Sequence, residues 1–119
     1  MLRVFKVTLP ADTNNHNLFS LLVGPRYALV NGGTNETGIT GAVPVDGILP
    51  DRVMDLQIAA DNGNAGNVII SDGDTPGGVV LAKNISYVVS SMMNSICLKD
   101  YFVAGSVASQ IFSVAMESI

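Results

Sequence analysis

The chain is poor in the residues that most catalytic and metal chemistry requires. It has one cysteine, one histidine and no tryptophan among its 119 residues. Cys97 has no second thiol for an internal disulfide or a zinc site, so we expect a small apolar side chain on a strand. His16 lies in an Asn-rich segment, where we expect it to be solvent-exposed or to cap a helix. We therefore predict no catalytic residues, no metal ligands, no cofactor and no enzymatic activity.

Charged side chains are also scarce. They make up 13% of the chain, where soluble domains average about 25%. Six Lys and Arg stand against ten Asp and Glu, and the net charge is −4. Because the six cations form no cluster, we expect neither a nucleic acid nor an anionic membrane as a partner. A weakly charged, apolar surface usually marks a place where a partner sits, so the composition favours an obligate oligomer or a lattice component.

Long apolar runs are absent as well. The N-terminal segment LRVFKVTL carries charges inside its apolar run, which is not typical of a signal peptide. The longest apolar stretches, GVVLA and SLLVG, are far shorter than the roughly 20 residues that span a bilayer. We expect residues 1–119 to form a single domain that buries its core without disulfides or metals.

What the sequence does contain is a series of short strand patterns. Residues 53–60 alternate strictly, with Met54, Leu56, Ile58 and Ala60 on one face, which predicts a half-buried antiparallel strand. Further strands are predicted at residues 2–9, 26–30, 67–71, 78–82, 85–93, 95–105 and 109–118. Seven or eight short strands at this spacing predict an all-β fold, an antiparallel β-sandwich or barrel.

Two segments depart from the strand pattern. Helix-start residues, leucines at helical spacing and a Gly-Pro stop predict one short helix near 14–23, with another strand as the alternative. Residues 31–50 are rich in glycine and proline without periodicity. Because long irregular stretches in compact domains are often interface loops, we predict that this region contacts a partner.

The stretch DNGNAGNVIISDGD, at 61–74, resembles a ligand loop in composition. An EF-hand needs oxygen-bearing side chains at its third and fifth positions, but Gly63 and Ala65 stand there. A phosphate loop needs a longer glycine pattern or a following lysine, and only GxxG is present. Asn-Gly instead predicts a tight hairpin turn between strands 53–60 and 67–71. A looser calcium site that braces the turn through Asp72 and Asp74, with Asp61 as a third ligand, is the alternative.

The second half of the chain has an ordered set of strand and turn residues: Ile58, Ala60, Asn64, Gly66, Val68, Asp72, Leu81, Tyr101, Val103, Gly105 and Val114. This order of features over residues 52–117 resembles small virion proteins of tailed bacteriophages, and the resemblance extends loosely to the NLFSLL segment. Two departures are ISDGD, where VGD is usual, and Asn84, which replaces a glycine. The resemblance implies a β-sandwich of jelly-roll type that serves as a non-enzymatic virion component.

The resulting hypothesis is a capsid decoration (cement) protein that stabilises the head by bridging capsid subunits, located in the virion after assembly in the host cytoplasm. Its expected partners are the major capsid protein and neighbouring copies of itself. The first strand, the 31–50 loop and the C-terminal strand ending at Ile119 are the predicted contacts. The alternative is a tail, connector or fibre-associated module that binds a receptor or carbohydrate through Tyr27, Tyr87 and Tyr101. A cupin-like metal enzyme would need several histidines.

Overall fold

The computed structural model describes residues 2–22, 40–41, 52–72, 78–91 and 93–118. Within them, residues 18–22 are helical and Leu98–Asp100 form a 3-10 helix. The strands are β1 Leu2–Thr8, β2 His16–Asn17, β3 Thr40–Gly41, β4 Arg52–Val53, β5 Asp55–Ala60, β6 Val68–Ser71, β7 Val79–Leu81, β8 Ser86–Ser90, β9 Ile96–Cys97, β10 Phe102–Gly105 and β11 Ile111–Glu117. The predicted all-β fold with one short helix is confirmed.

The strands form three antiparallel sheets. The five-stranded sheet has the order β3-β1-β11-β5-β8, the four-stranded sheet has the order β2-β10-β6-β7, and β4 pairs with β9 alone. Strand β11 lies at the centre of the five-stranded sheet. Its partner β1 runs in register from Leu2 opposite Glu117 to Thr8 opposite Ile111, and β5 pairs along its other side.

Both large sheets bury one face in a single hydrophobic cluster. Burial alternates along β11, so that Phe112, Val114 and Met116 lie inside. The inward side chains of the other elements belong to the same cluster: Val7, Leu56 and Ile58 from the five-stranded sheet, Val68, Ile70, Leu81 and Val103 from the four-stranded sheet, and Leu18, Leu21 and Leu22 from the helix. The sheets therefore have one buried and one outward face each, as antiparallel sheets commonly do.

The predicted strand 53–60 is wrong at its beginning. Met54 interrupts it and is only half-buried; its N–H donates to the Glu117 carbonyl at 2.9 Å and its carbonyl accepts from the Ser91 N–H at 2.7 Å. The interruption turns Val53 into the core, where it is fully buried, although strict alternation places it on the face of Asp55. The predicted burial of Leu56, Ile58 and Ala60 is confirmed.

The predicted strand 95–105 is also wrong, since a 3-10 turn divides it into β9 and β10. The Tyr101 N–H donates to the Leu98 carbonyl at 3.4 Å and closes that turn. In a continuous strand Leu98 and Val103 would point to opposite faces, because they are an odd number of residues apart. The turn lets both side chains enter the core, where each is fully buried.

The helix begins later than predicted. Residues 16–17 pair with β10 as strand β2, and the helical residues start at 18. Asn17 caps the helix, since its Oδ1 accepts from the Ser20 N–H at 3.2 Å. The end of the predicted helix, the predicted strand 26–30 and all but two residues of the 31–50 region lie outside the described residues.

The predicted hairpin between β5 and β6 is wrong, because these strands belong to different sheets. The connecting loop crosses from one sheet to the other and is held by the loop before β11. The Asn64 side chain bonds to the backbone of Ile111 as a residue of a neighbouring strand would. Its Nδ2 donates to the Ile111 carbonyl and its Oδ1 accepts from the Ile111 N–H, both at 2.8 Å. The Gly66 N–H donates to Gln110 Oε1 at 2.8 Å. A Cβ at Gly66 would lie only 2.5 Å from Ser106 Oγ, so the close approach requires glycine.

We expect Asn64→Ala to lower the free energy of unfolding by about 1–3 kcal/mol, because the Ile111 N–H loses its partner in a half-buried loop and the Ile111 carbonyl keeps only the Asp61 N–H, at 3.0 Å. Chemical denaturation followed by circular dichroism measures the change. Asn62→Ala is the control, since Asn62 is exposed and, among the described residues, its side chain bonds to the exposed Asn84 side chain. Equal denaturation midpoints for the two variants would contradict the structural role of Asn64.

Candidate interaction surface

The histidine does not lie where the sequence predicts. His16 is neither solvent-exposed nor a helix cap: its side chain is 14% exposed and its Nε2 lies 2.8 Å from Asp12 Oδ1. The same Asp12 oxygen accepts from the Asn14 N–H at 3.0 Å. The pair fixes the segment between β1 and β2, so His16 has a structural partner, and no nucleophile lies beside it among the described contacts.

This pair predicts a pH dependence of stability. The hydrogen bond from His16 lowers the pKa of Asp12 below its ordinary value. A carboxyl group with a lower pKa in the folded state stabilises the fold above its unfolded pKa, and that contribution is lost as pH falls through the folded value. We therefore expect the melting-temperature difference between wild type and Asp12→Asn to shrink below about pH 4.

Thermal melts between neutral and acid pH measure this difference. In a His16→Ala background, Asp12→Asn should change the melting temperature little at any pH, because the partner is already gone. A difference that stays constant into acid, or that persists without His16, would contradict the assignment.

The acids proposed for a looser calcium site are only partly described. Asp61 is engaged in its own turn, since its Oδ2 accepts from the Gly63 N–H at 2.9 Å and its Oδ1 lies 3.8 Å from Lys6 Nζ. Asp72 is exposed, and Asp74 lies outside the described residues. Over the described parts of the chain, no three His, Cys, Asp or Glu residues are grouped as metal ligands would be. The calcium alternative thus stays a prediction. Cys97, a free thiol on β9, is half-buried.

The feature with the clearest capacity for binding is the outward side of the five-stranded sheet, which we call the outer face. Strand register arranges its side chains in three rows across β1, β11, β5 and β8. The rows are Leu2–Glu117–Asp55–Ser90, Val4–Ala115–Gln57–Val88 and Lys6–Ser113–Ala59–Ser86.

The outer face exposes large apolar side chains. Leu2, Val4 and Val88 are 64%, 61% and 62% exposed, and Val4 and Val88 stand at the two ends of the middle row with Ala115 and Gln57 between them. The other large apolar side chains that are exposed within the described residues lie elsewhere: Val79, Val80, Ile85, Met93 and Val107. Clustered apolar exposure on a sheet, unlike scattered single residues, marks a contact surface.

The two ends of the outer face differ in charge. Asp55 and Glu117 are direct cross-strand neighbours in the first row, an arrangement that destabilises a sheet when the charges are alike. They flank a shallow depression of about 180 Å³, which Leu2, Val88 and Ala115 also line. Lys6 stands in the third row, at the opposite end, and its side chain is 64% exposed. The face thus has an acidic end, an apolar middle and a basic corner.

Sequence reasoning identified β1 as a contact element but did not single out Leu2, Val4 or Val88. The available signal was that β1 and β8 each carry large aliphatic side chains on both faces, although the fold buries one face only. The tyrosines proposed for a carbohydrate platform are less accessible: Tyr87 and Tyr101 pack against the core, and burial raises the pKa of Tyr101. Tyr27 lies outside the described residues.

Comparison of the chain with protein-family models, curated proteins and solved structures finds no match. Among the residues that the structure describes, no helix has the length and apolarity needed to cross a bilayer. The outer face and the fold that presents it are the features of the chain that bear on its function.

Proposed function

We propose that the chain is a non-enzymatic structural protein of a tailed-phage virion, a capsid decoration protein that stabilises the head by bridging capsid subunits. The observation that carries the proposal is the apolar outer face, where three large side chains are each more than 60% exposed. A surface of this kind stabilises an assembly when it is covered, since burying a valine or leucine side chain contributes about 1.5–3 kcal/mol.

The strand order supports a jelly-roll sandwich, the finer fold that this function implies. If β3, β4 and β9 are set aside, the equally short β2 is kept, and the eight strands are numbered in chain order, the sheets read 1-8-3-6 and 2-7-4-5. Strand 1 pairs with 8, 2 with 7, 3 with 6 and 4 with 5. These are the pairs that form when an antiparallel ribbon of eight strands folds at its middle and rolls up. Viral capsid domains are among the proteins built in this way.

The area of the outer face limits how strong a single contact through it can be. Four strands about 4.8 Å apart and five to seven residues long cover at most roughly 19 by 24 Å. A stable protein interface takes about 800 Å² from each partner, so this face alone supports a contact at the weaker end. Repetition over a lattice strengthens such contacts by effective concentration. We predict that the 31–50 region supplies additional contact area.

Co-sedimentation with purified empty heads from the same phage genome tests the proposal. We expect the chain to pellet with heads to a saturable level and to raise the temperature at which the heads open. A saturable interaction with tails and none with heads would replace the decoration role by the tail alternative. A chain that pellets with neither particle would overturn the proposed function.

A further inference from the structure

We propose that the outer face also binds the outer face of a second copy of this chain, and that Lys6 of each copy enters the acidic depression of the other. The inference rests on the proposed function in taking this face as the contact surface, and it names one of its partners. Because one face cannot be covered twice, the second copy and a capsid subunit exclude each other on it. The observation behind it is that the face carries two acids at one end and a lysine at the other.

A two-fold axis that lies in the interface and runs along the middle row brings the acidic end of each copy over the Lys6 end of the other. This operation places the first row of one copy over the third row of the other, while each strand stays above its own counterpart. Lys6 then lies over the partner copy's first row, beside Glu117 on the neighbouring strand. If the axis ran along the strands instead, the acids of both copies would face each other. Charge therefore selects one of the two face-to-face arrangements, and sheets packed in this way keep their strands within about 30° of alignment.

The middle rows also match in this arrangement. Val4 meets Val4 and Val88 meets Val88 at the two ends of the axis, with Ala115 against Ala115 between them. Gln57, which is exposed in the same row, meets its own counterpart, and its amide has both a donor and an acceptor to exchange. An isologous contact needs a self-complementary patch. This row is self-complementary because its apolar side chains face apolar side chains and its amide faces an amide.

Lysine suits the depression chemically. Its alkyl stem can lie along Leu2 and Ala115 while its ammonium group reaches the carboxylates of Asp55 and Glu117. Among the side chains that the structure describes, neither carboxylate forms an ion pair with a cation of its own chain. The present contact of Lys6 with Asp61 is a long surface pair at 3.8 Å, so it opposes the exchange only weakly. The acidic site is thus incomplete in one copy and is completed by the second.

Sedimentation equilibrium over a range from about 1 µM to about 1 mM tests the inference with wild type and two charge variants. We expect wild type to dimerise, and Lys6→Glu or Glu117→Lys each to weaken dimerisation by roughly tenfold or more. An equimolar mixture of the two variants should recover the dimer, because each contact then joins opposite charges. Lys83→Glu is the matched control: it makes the same charge change at an exposed lysine outside the outer face, and its dimerisation should equal that of wild type.

A wild type that remains monomeric throughout, or a mixture that recovers nothing, would overturn the inference. Circular dichroism and melting temperature of each variant show whether the fold is retained. Head binding, measured separately, distinguishes this failure from that of the proposed function. A chain that stays monomeric at all concentrations but binds heads contradicts the dimer alone. A chain that dimerises at high concentration but ignores heads at concentrations at which it is monomeric supports the dimer and contradicts the decoration role.

Discussion

Phe112→Ala will lower the free energy of unfolding by about 3–5 kcal/mol, a large share of the 5–15 kcal/mol that holds a typical domain together. Phe112 is the largest fully buried side chain among the described residues. It lies on β11, the central strand of the five-stranded sheet, where the neighbouring strands leave the backbone little freedom to close a cavity. The loss combines the transfer of an aromatic ring to water with the cavity that remains.

Urea denaturation followed by circular dichroism measures this loss. Phe112→Leu should cost less, because it retains much of the side-chain volume. Val80→Ala removes an exposed side chain on β7 and should change the midpoint little. If Phe112→Ala cost no more than the exposed control, Phe112 would not lie at the centre of the core.

Much of the fold could be predicted from local patterns. Strands β1, β6, β7, β8 and β11 fall within the predicted ranges 2–9, 67–71, 78–82, 85–93 and 109–118. In these segments β-branched residues alternate or run together between polar and glycine breaks, and such a pattern depends on few distant contacts.

The errors arose where a distant contact outweighed the local pattern. Asn-Gly is a strong hairpin signal, but Asn64 bonds to the backbone of Ile111, which is 47 residues away in sequence. That bond carries the chain across to the other sheet. Likewise, Val53 leaves the alternation of β5 because it pairs with Ile96 in the short sheet of β4 and β9. The local hydrophobic period carries no information about either of these distant partners.

From the sequence we could predict that some surface contacts a partner, but not which residues form the candidate surface. The scarcity of charge predicted that some surface is covered by a partner, and the first strand was expected to take part. Which side chains form the surface depends on register, because Val4 and Val88 stand in one row only through β11 and β5. The sequence separates them by more than eighty residues, so their juxtaposition follows from topology alone.

Val88→Glu has the largest expected effect on binding. The side chain is 62% exposed, so the substitution leaves the core intact, and a valine-to-glutamate change on a strand surface costs stability of at most about 1 kcal/mol. In a covered middle row, however, the carboxylate would be desolvated between Gln57 and its partner surface without a cation beside it. We expect the affinity for any partner of the outer face to fall by at least about a hundredfold.

Val80→Glu is the matched control for this change. Val80 is 56% exposed and also stands on a strand, but it belongs to the four-stranded sheet. The two variants have the same composition, the same net charge and the same kind of substitution. They differ only in which sheet carries the new carboxylate.

Co-sedimentation of these two variants with empty heads tests the central claim, that the outer face of the five-stranded sheet is the contact surface of a virion structural protein. We expect Val80→Glu to pellet with heads as wild type does and Val88→Glu, although folded, to stay in the supernatant. Equal binding by the two folded variants would contradict it.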